Sequence, residues 1–514
     1  MRQRLTLILL GTASLLLYLG MTALSRQFNW GQGYADRPIL SYLALYFALF
    51  GLYAGAVAWV VRNPRDRPSF WVILLLGLLF RAVILPSQQI QEDDVYRYLW
   101  DGKVFANGIN PYEYAPKQAT DFKPLKIREP EKFLQTYGDR NVRDLERLNE
   151  LKWENDTALR FFERINHPAV PTIYPPLAQF VFRAVALVRP DSVTAMRLAF
   201  LVFDLAAVTF IVLTLKTLGK DPGLCLVYFW SPLIVKETFN STHLDILGIA
   251  CLCGSVYFLV RKSFLPALLL LALSVLGKLY PLVLLPLYLK EMPTEKSRTA
   301  YPILGAAVFL GTVAALYAPF LDIGRKAFEG LRAYTVHWEN NDSLFALLVY
   351  FFGDVLGLKS LEGFPLSTNL ATFLSKAAVA AVLLGTLIYL LSSGRAGKER
   401  PDPFPTRTLK NLFVMMALAF LLSPVQNPWY LGWSVPFLCF FPHRSWILLT
   451  GLTGLYYLDF YFDYQEIRPY SLWIPWFEYA PFYLLLALEN RARLKELFAR
   501  KGRPSATGEG PANS

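Results

Sequence analysis

Charged residues are scarce in this chain. They make up 18% of its 514 residues, against 54% hydrophobic, and the hydrophobic residues are gathered in long blocks, which excludes a soluble globule of this length. Cysteine is rare as well. The four present, Cys225, Cys251, Cys253 and Cys439, lie inside apolar runs with neither zinc-site nor disulfide spacing, so they read as small buried apolar residues. A glycine-rich phosphate loop, a nucleotide-binding motif and an internal repeat are all missing, which excludes a soluble nucleotide-binding domain and argues against a transporter built of two similar halves. The formal charge of +12 does not imply a nucleic-acid partner. Its excess sits in short loops and the tail, where cytoplasmic positive charge belongs.

What the chain has is apolar length. Residues 5–24, 38–61, 70–86, 195–215 and 370–391 are each about long enough to cross hydrocarbon as a helix. Further blocks at 224–289, 300–320, 412–441 and 447–488 are interrupted by proline, glycine and single charges. Together they predict an all-α, polytopic membrane protein of roughly 12–14 transmembrane helices. The first block follows Arg2 and Arg4 like a secretory signal, but it exceeds the ~7–15 apolar residues of a signal core and has no small-residue cleavage site, so it reads as an uncleaved span.

Placing the basic loops (62–67, 216–220, 261–262, 290–298, 395–407, 443–444 and 491–503) on the cytoplasmic side gives one consistent path. Residues 1–86 form N-terminal transmembrane helices, and 87–190 an extracytoplasmic loop with helices at the interface. Residues 191–490 form transmembrane helices joined by outer loops, and 491–514 a basic cytoplasmic tail, disordered after Gly502. Residues 175–188 are apolar but short and carry Arg183. Crossing there would put Lys216, Lys220, Arg261 and Lys262 outside, so this stretch is expected to lie on the outer surface. Every chemically suggestive stretch then falls on the outer face.

The first such stretch is Glu92-Asp93-Asp94, three adjacent carboxylates that repel one another unless a cation, water or substrate offsets them. A helix is expected over 94–106, ended by Asn107-Gly108. Acidic residues suit a helix N-terminus by roughly 0.3–1 kcal/mol each, which is the bland explanation. In extended chain Glu92 and Asp94 share a side and Asp93 faces away, so a ligand meets that pair or Asp93 alone. Asp94 is favoured, with Arg97 and Tyr98 one turn on. A second helix is expected over 143–165, with a stripe of Leu145, Leu148, Leu151, Leu159 and Phe162.

Further along, 239–245 sets His243 and Asp245 at the start of a span, where Asn240, Ser241 or Thr242 are expected to cap. A carboxylate just within the membrane is costly, and Lys236 and Glu237 are available to pair with each other or with Asp245. Lys278 and a proline break the apolar run Gly277–Pro286, which also carries Tyr280, and a lysine there either snorkels or meets a lipid phosphate. Residues 334–343, with His337, Trp338 and Asn341, and 423–430, with Gln426 and Tyr430, add aromatics and amides at the interface.

The order of these motifs resembles the GT-C superfamily, polytopic glycosyltransferases that take sugar from a polyprenyl phosphate outside the cytoplasm. Asp93-Asp94-Val95-Tyr96, then Asn107-Gly108-Ile109-Asn110-Pro111-Tyr112 and Tyr174-Pro175-Pro176-Leu177, are similar to that group's first outer loop and the helix after it. Lys278-Leu279-Tyr280-Pro281 with Pro286 resembles a motif of the GPI mannosyltransferase I family and its bacterial relatives, and 337–343 loosely resembles another. The family's Asp-x-Asp stands here as Glu92-Asp93-Asp94-Val95.

The resemblance implies an extracytoplasmic site in a bacterial inner membrane. The donor would be a polyprenyl-phosphate-linked sugar, mannose favoured, and the acceptor a lipid, glycan or protein hydroxyl. Asp94, or Asp93, would be the base, with Lys278, Arg97 and His337 at the donor phosphate. Glu92, Tyr98, Tyr174, His243, Asp245, Tyr280, Trp338, Asn341, Gln426 and Tyr430 would line the substrate site. No cofactor is required, although a divalent cation on Glu92 and Asp94 is compatible. A secondary transporter is the alternative, since broken helices and intramembrane charges occur there too.

Overall fold

The computed structural model describes residues 2–63, 67–293, 300–358, 369–392, 403–467, 470 and 473–491. Among them there is no strand. One isolated parallel bridge joins Asn340 and Val425. The tail from 492 on, with its expected disorder, and most of the loop at 395–407 lie outside the described residues.

Three long helices open the chain: α1 (Arg2–Ser25), α2 (Ile39–Arg62) and α3 (Arg67–Ile84). The outer segment follows with α4 (Asp94–Ala106), α5 (Gln118–Arg128), α6 (Pro130–Lys152), α7 (Asp156–Glu163) and α8 (Pro176–Val188), and the chain then turns into α9 (Val193–Thr217). Short helices α10 (Leu226–Phe229) and α11 (Pro232–Phe239) lead to the antiparallel pair α12 (Asp245–Val260) and α13 (Phe264–Gly277). Next come α14 (Leu285–Lys290), α15 (Ala300–Tyr317), α16 (Glu329–His337), α17 (Leu344–Tyr350) and α18 (Leu370–Ser392). The final group is α19 (Thr406–Leu421), α20 (Pro428–Leu431), α21 (Val435–Phe440), α22 (Arg444–Leu452), α23 (Tyr457–Tyr464) and α24 (Ile474–Glu489).

The protein is an all-α polytopic membrane protein. By length and composition five helical stretches suffice to cross a membrane, Arg4–Ser25, Tyr34–Arg62, Val193–Thr217, Tyr301–Val336 and Leu370–Ser392, and shorter apolar helices accompany them. Where the sequence shows apolar blocks cut by proline and glycine, the chain folds into helical fragments, because a proline lacks the N–H that continues a helix and its ring collides with the preceding turn.

Buried polar anchors tie the fragments together. Arg81 on α3 binds Asp204 on α9 through Nε at 2.5 Å, and Tyr228 of α10 donates to the same carboxylate at 2.8 Å. Such a pair survives in an apolar interior only because each charge is met by the other and by hydrogen bonds. All four cysteines are buried and free.

One expectation changes. The helix expected over 143–165 is two helices, α6 and α7, broken at 153–155, where the Asn155 side chain accepts from the Ala158 amide and starts a new helix. Leu145, Leu148 and Leu151 are buried as the stripe requires, while Leu159 and Phe162 are only half-buried. The short apolar stretch expected on the outer surface forms α8. It packs closely against α4, with Phe182 stacked on Tyr98 at 4.8 Å and 7°, and with Gly102 of α4 so near the Phe182 carbonyl that a Cβ would sit 2.3 Å from its oxygen.

Candidate active site

The acidic stretch reaches its position through a turn at Gln91, which adopts a left-handed φ of 73°. Arg37 donates to the Gln91 amide oxygen at 2.6 Å and to the Asn29 carbonyl at 3.0 Å, fixing the turn against the loop after α1. From there α4 starts at Asp94, as expected. Asp94 stands in the first turn of α4, where the bland explanation puts an acidic residue, while Asp93 at the N-cap position makes no side-chain capping bond.

The three carboxylates meet three environments. Asp93 accepts from Arg164 through Nη2 at 2.6 Å and Nε at 3.2 Å. Burial pushes its carboxyl up, against the pull of Arg164. Glu92 is buried, with Oε1 lacking any partner, and loss of water raises its pKa well above the usual glutamate range. Asp94 differs. Its Oδ1 accepts from the Asn166 amide at 2.6 Å, whereas Oδ2 has only the Tyr98 hydroxyl at 3.4 Å and His243 Nδ1 at 3.6 Å. Burial works against its charge, yet His243, Asn166 and Lys278 outweigh burial and hold its carboxyl below the usual aspartate range. Asp94 is thus the one of the three whose carboxyl is held below its usual range, and its Oδ2 has only long contacts.

These groups border a cavity of about 520 Å³. Glu92, Asp93 and Asp94 all border it. Arg97 lines it too. The guanidinium is held by Asp101 at 2.7 Å and the Val170 carbonyl at 2.9 Å, while Nη2 is buried with no partner. A buried cation with an unused donor is equipped to meet an anion.

The opposite wall is built by α12 and α13. Gly248 and Gly277 let their backbones touch, since a Cβ on Gly277 would lie 2.9 Å from the Gly248 nitrogen. Small residues at such a crossing permit close helix contact. The approach sets Asp245, first residue of α12, against Lys278, just past α13, at 2.8 and 2.9 Å. Trp433 donates to the same carboxylate at 2.6 Å, and Lys278 Nζ stands 3.7 Å over the Tyr430 ring. Lys278 therefore does not simply snorkel, and Asp245 pairs with it and not with Lys236. Lys236 instead lies 3.3 Å from Glu237.

Asn240, Ser241 and Thr242 do not cap α12, whose N-cap is Leu244. They have longer-range work. Asn240 holds Ser87, the Gln88 carbonyl and the Ile90 amide, and Ser241 accepts from Lys236 at 2.8 Å. Arg197 of α9 donates to Thr242 at 2.9 Å, to the Leu85 and Ser87 carbonyls at 2.7 and 2.6 Å, and to the Asn240 carbonyl at 2.5 Å. One arginine thus joins the turn leading to Asp94 and the turn carrying His243.

The roof consists of aromatic and amide groups. Gly330 lets α16 press on the 171–172 backbone, which brings Tyr334 and Trp338 over the cavity. The loops after α16 and α19 are stitched at Asn340, whose amide donates to the Pro424 carbonyl and whose carbonyl accepts from Gln426. The structure brings Glu92, Asp93, Asp94, Arg97, Tyr98, Tyr174, Asp245, Lys278, Tyr280, Trp338 and Tyr430 to one cavity. Asn341 and Gln426 lie behind its wall. Asn341 donates to Glu478 at 2.8 Å, and buried Gln426 donates to the Leu421 and Ser423 carbonyls. His243 sits behind Asp94, and the His337 side chain lies outside the described residues.

Sequence reasoning missed Asn166, Arg164 and Trp433. Asn166 is 72 residues from the carboxylate it binds, a separation that no local pattern reveals. Among the described residues no group of three His, Cys, Asp or Glu side chains is arranged to hold a metal ion.

Residues 172–424, just under half of the chain, match the family model for Glycosyltransferase family 87. No curated protein and no solved structure matches. The matched segment contains Asp245, Lys278 and Tyr334, three residues on the cavity wall facing the acidic stretch. With an all-helical membrane fold around that cavity, the protein is a membrane glycosyltransferase.

Proposed function

We propose that the protein transfers a sugar, mannose favoured, from a polyprenyl-phosphate donor to an acceptor hydroxyl on the extracytoplasmic face of a bacterial inner membrane. Asp94 is the base. The observation that carries this reading is the contrast among the three carboxylates bordering the cavity: Asp93 is bound by Arg164, burial pushes Glu92 toward its neutral form, and Asp94 is held toward its charged form with only long contacts on Oδ2.

In the reaction the acceptor oxygen attacks the anomeric carbon while the bond from that carbon to the phosphate oxygen breaks. Asp94 takes the hydroxyl proton, and polyprenyl phosphate leaves with the bonding electrons. Phosphate is a good leaving group, so an ordinary carboxylate suffices as base. The negative charge growing on the phosphate is met by Arg97 and Lys278 on the cavity wall, cations already in place before the charge develops. The apolar blocks around the cavity suit a lipid tail, and Tyr98, Tyr174, Trp338 and Tyr430 offer ring faces and hydroxyls to sugars. The sugar preference follows from the likeness of 278–286 to GPI mannosyltransferase I. A divalent cation, where one takes part, would be held by Glu92 and Asp94, and loss of turnover on chelation tests that role.

The decisive variant is Asp94→Asn, which keeps shape but cannot take the proton. It should fold, bind donor and lose about 10²–10⁴ of the transfer rate, measured with purified protein, a panel of radiolabelled polyprenyl-phosphate sugars and membrane extract as acceptor. Near wild-type transfer by this variant would remove Asp94 as the base. Transfer from a donor other than polyprenyl-phosphate mannose would change the sugar and leave the base intact.

A further inference from the structure

Behind Asp94 lies a buried chain of polar groups that the reaction above does not use. His243 stands in the turn between α11 and α12, after Thr242 with its left-handed φ of 63°. Its ring is buried and stacked on Trp429, with centroids 3.7 Å apart and planes 14° apart. Nδ1 faces Asp94 Oδ2 at 3.6 Å, and Nε2 faces Glu237 Oε2 at 3.4 Å. Neither nitrogen has a hydrogen-bond partner at these distances, although both are fully buried. Glu237 is anchored from behind by the Tyr457 hydroxyl at 3.0 and 3.1 Å and by Lys236 at 3.3 Å.

A buried imidazole with both nitrogens unsatisfied is costly, and native structures keep such groups for a reason. Here the reason is geometric. Each nitrogen looks at a carboxylate oxygen, and each gap exceeds a hydrogen bond by a few tenths of an ångström. Catalytic hydrogen bonds are often long in the empty site and tighten when substrate is bound. Asn166 already grips Oδ1 of Asp94. A donor on Oδ2 would hold the carboxylate from both sides and fix the direction of its remaining lone pair. Trp429, which sets the plane of the imidazole, itself borders the cavity.

We infer that His243 is the positioning residue of Asp94: its Nδ1–H donates to Oδ2 in the substrate complex, while its Nε2–H donates to Glu237 on the far side of the ring. This rests on the reading of Asp94 as base. It acts through Asp94 and does not touch the reacting atoms, so it should govern turnover and not donor binding.

Three substitutions separate the donor from the ring. His243→Phe keeps the stack on Trp429 and removes both nitrogens. His243→Asn places an amide donor near the former Nδ1, and His243→Gln near the former Nε2. With polyprenyl-phosphate mannose as donor and membrane extract as acceptor, the Phe variant should lose at least about tenfold in kcat with KM changed less than about twofold. The Asn variant should recover most of that loss, and the Gln variant should not. On an Asp94→Asn background the Phe substitution should cost nothing more, because residues acting as one unit are not additive.

Wild-type turnover by the Phe variant, equal rescue by Gln and Asn, or a full further loss on the Asp94→Asn background would each overturn the inference. A poorly folded Phe variant would leave the Asn and Gln pair to decide. An inactive Asp94→Asn beside a fully active His243→Phe would remove only the role of His243. An active Asp94→Asn would remove the base and this role together.

Discussion

Lys278 reaches the cavity with its charge already engaged. Its ammonium binds both oxygens of Asp245, a carboxylate that is nearly buried and also accepts from Trp433. A lysine snorkelling to the interface could be replaced by methionine with little effect on folding. An ion-paired one cannot, because removing one partner leaves the other charge buried and alone, at a cost of about 3–5 kcal/mol. Lys278→Met should therefore lower the midpoint of thermal unfolding in detergent as well as donor affinity. Adding Asp245→Asn should restore stability, since the amide oxygen still accepts from Trp433, while donor affinity stays weak. Recovery of both properties in the double variant would leave Lys278 a structural ion and remove it from the phosphate site. This residue was legible in the sequence because a lysine inside an apolar run stands out. Its partner was not, since Asp245 and Lys278 are 33 residues apart and meet only through the contact of Gly248 with Gly277.

Among elements, the bounds of α4 were readable. An acidic start and an Asn-Gly stop mark them, and Gly108 takes the left-handed φ of 77° that a chain leaving a helix often needs. What α4 packs against was not readable. Its contact with α8 passes through Gly102, where a Cβ would lie 2.3 Å from a backbone oxygen that cannot rotate away. Gly102→Ala should push the helices apart and cost about 1–3 kcal/mol. It should also lower activity, because Asp94 and Arg97 ride on the same helix. Gly51, inside α2 with nothing near its missing Cβ, is the control: Gly51→Ala should gain about 0.5–1 kcal/mol from helix propensity. Thermal unfolding of both variants checks the pair, and equal stability would mean that α4 and α8 can separate freely. Local rules failed at Asn240, Ser241 and Thr242 for a related reason. Their types suit a helix cap, but Ser87, Gln88, Lys236 and Arg197 claim them instead.

For the molecule as a whole, helix class and membrane character follow from apolar length, while the breaks within the apolar blocks hide how many pieces cross. Orientation rests on the basic loops, and it decides whether the cavity opens to the outside. Single cysteines read this directly, because the four native cysteines are buried and give little background. Lys103 is a poor place for the outer probe, being buried and bound to Glu154 and Asp191 at 2.6 and 2.7 Å. Lys117, in the same outer segment, is exposed, as is Glu339 in the loop after α16. Arg261, in the turn between α12 and α13, is exposed at the end of α12 opposite Asp245. In intact cells an impermeant thiol reagent should label Lys117→Cys and Glu339→Cys and leave Arg261→Cys unlabelled until the membrane is permeabilised. Labelling of Arg261→Cys with Lys117→Cys protected would turn the protein over, put the carboxylates in the cytoplasm and remove the case for a donor presented on the outer face.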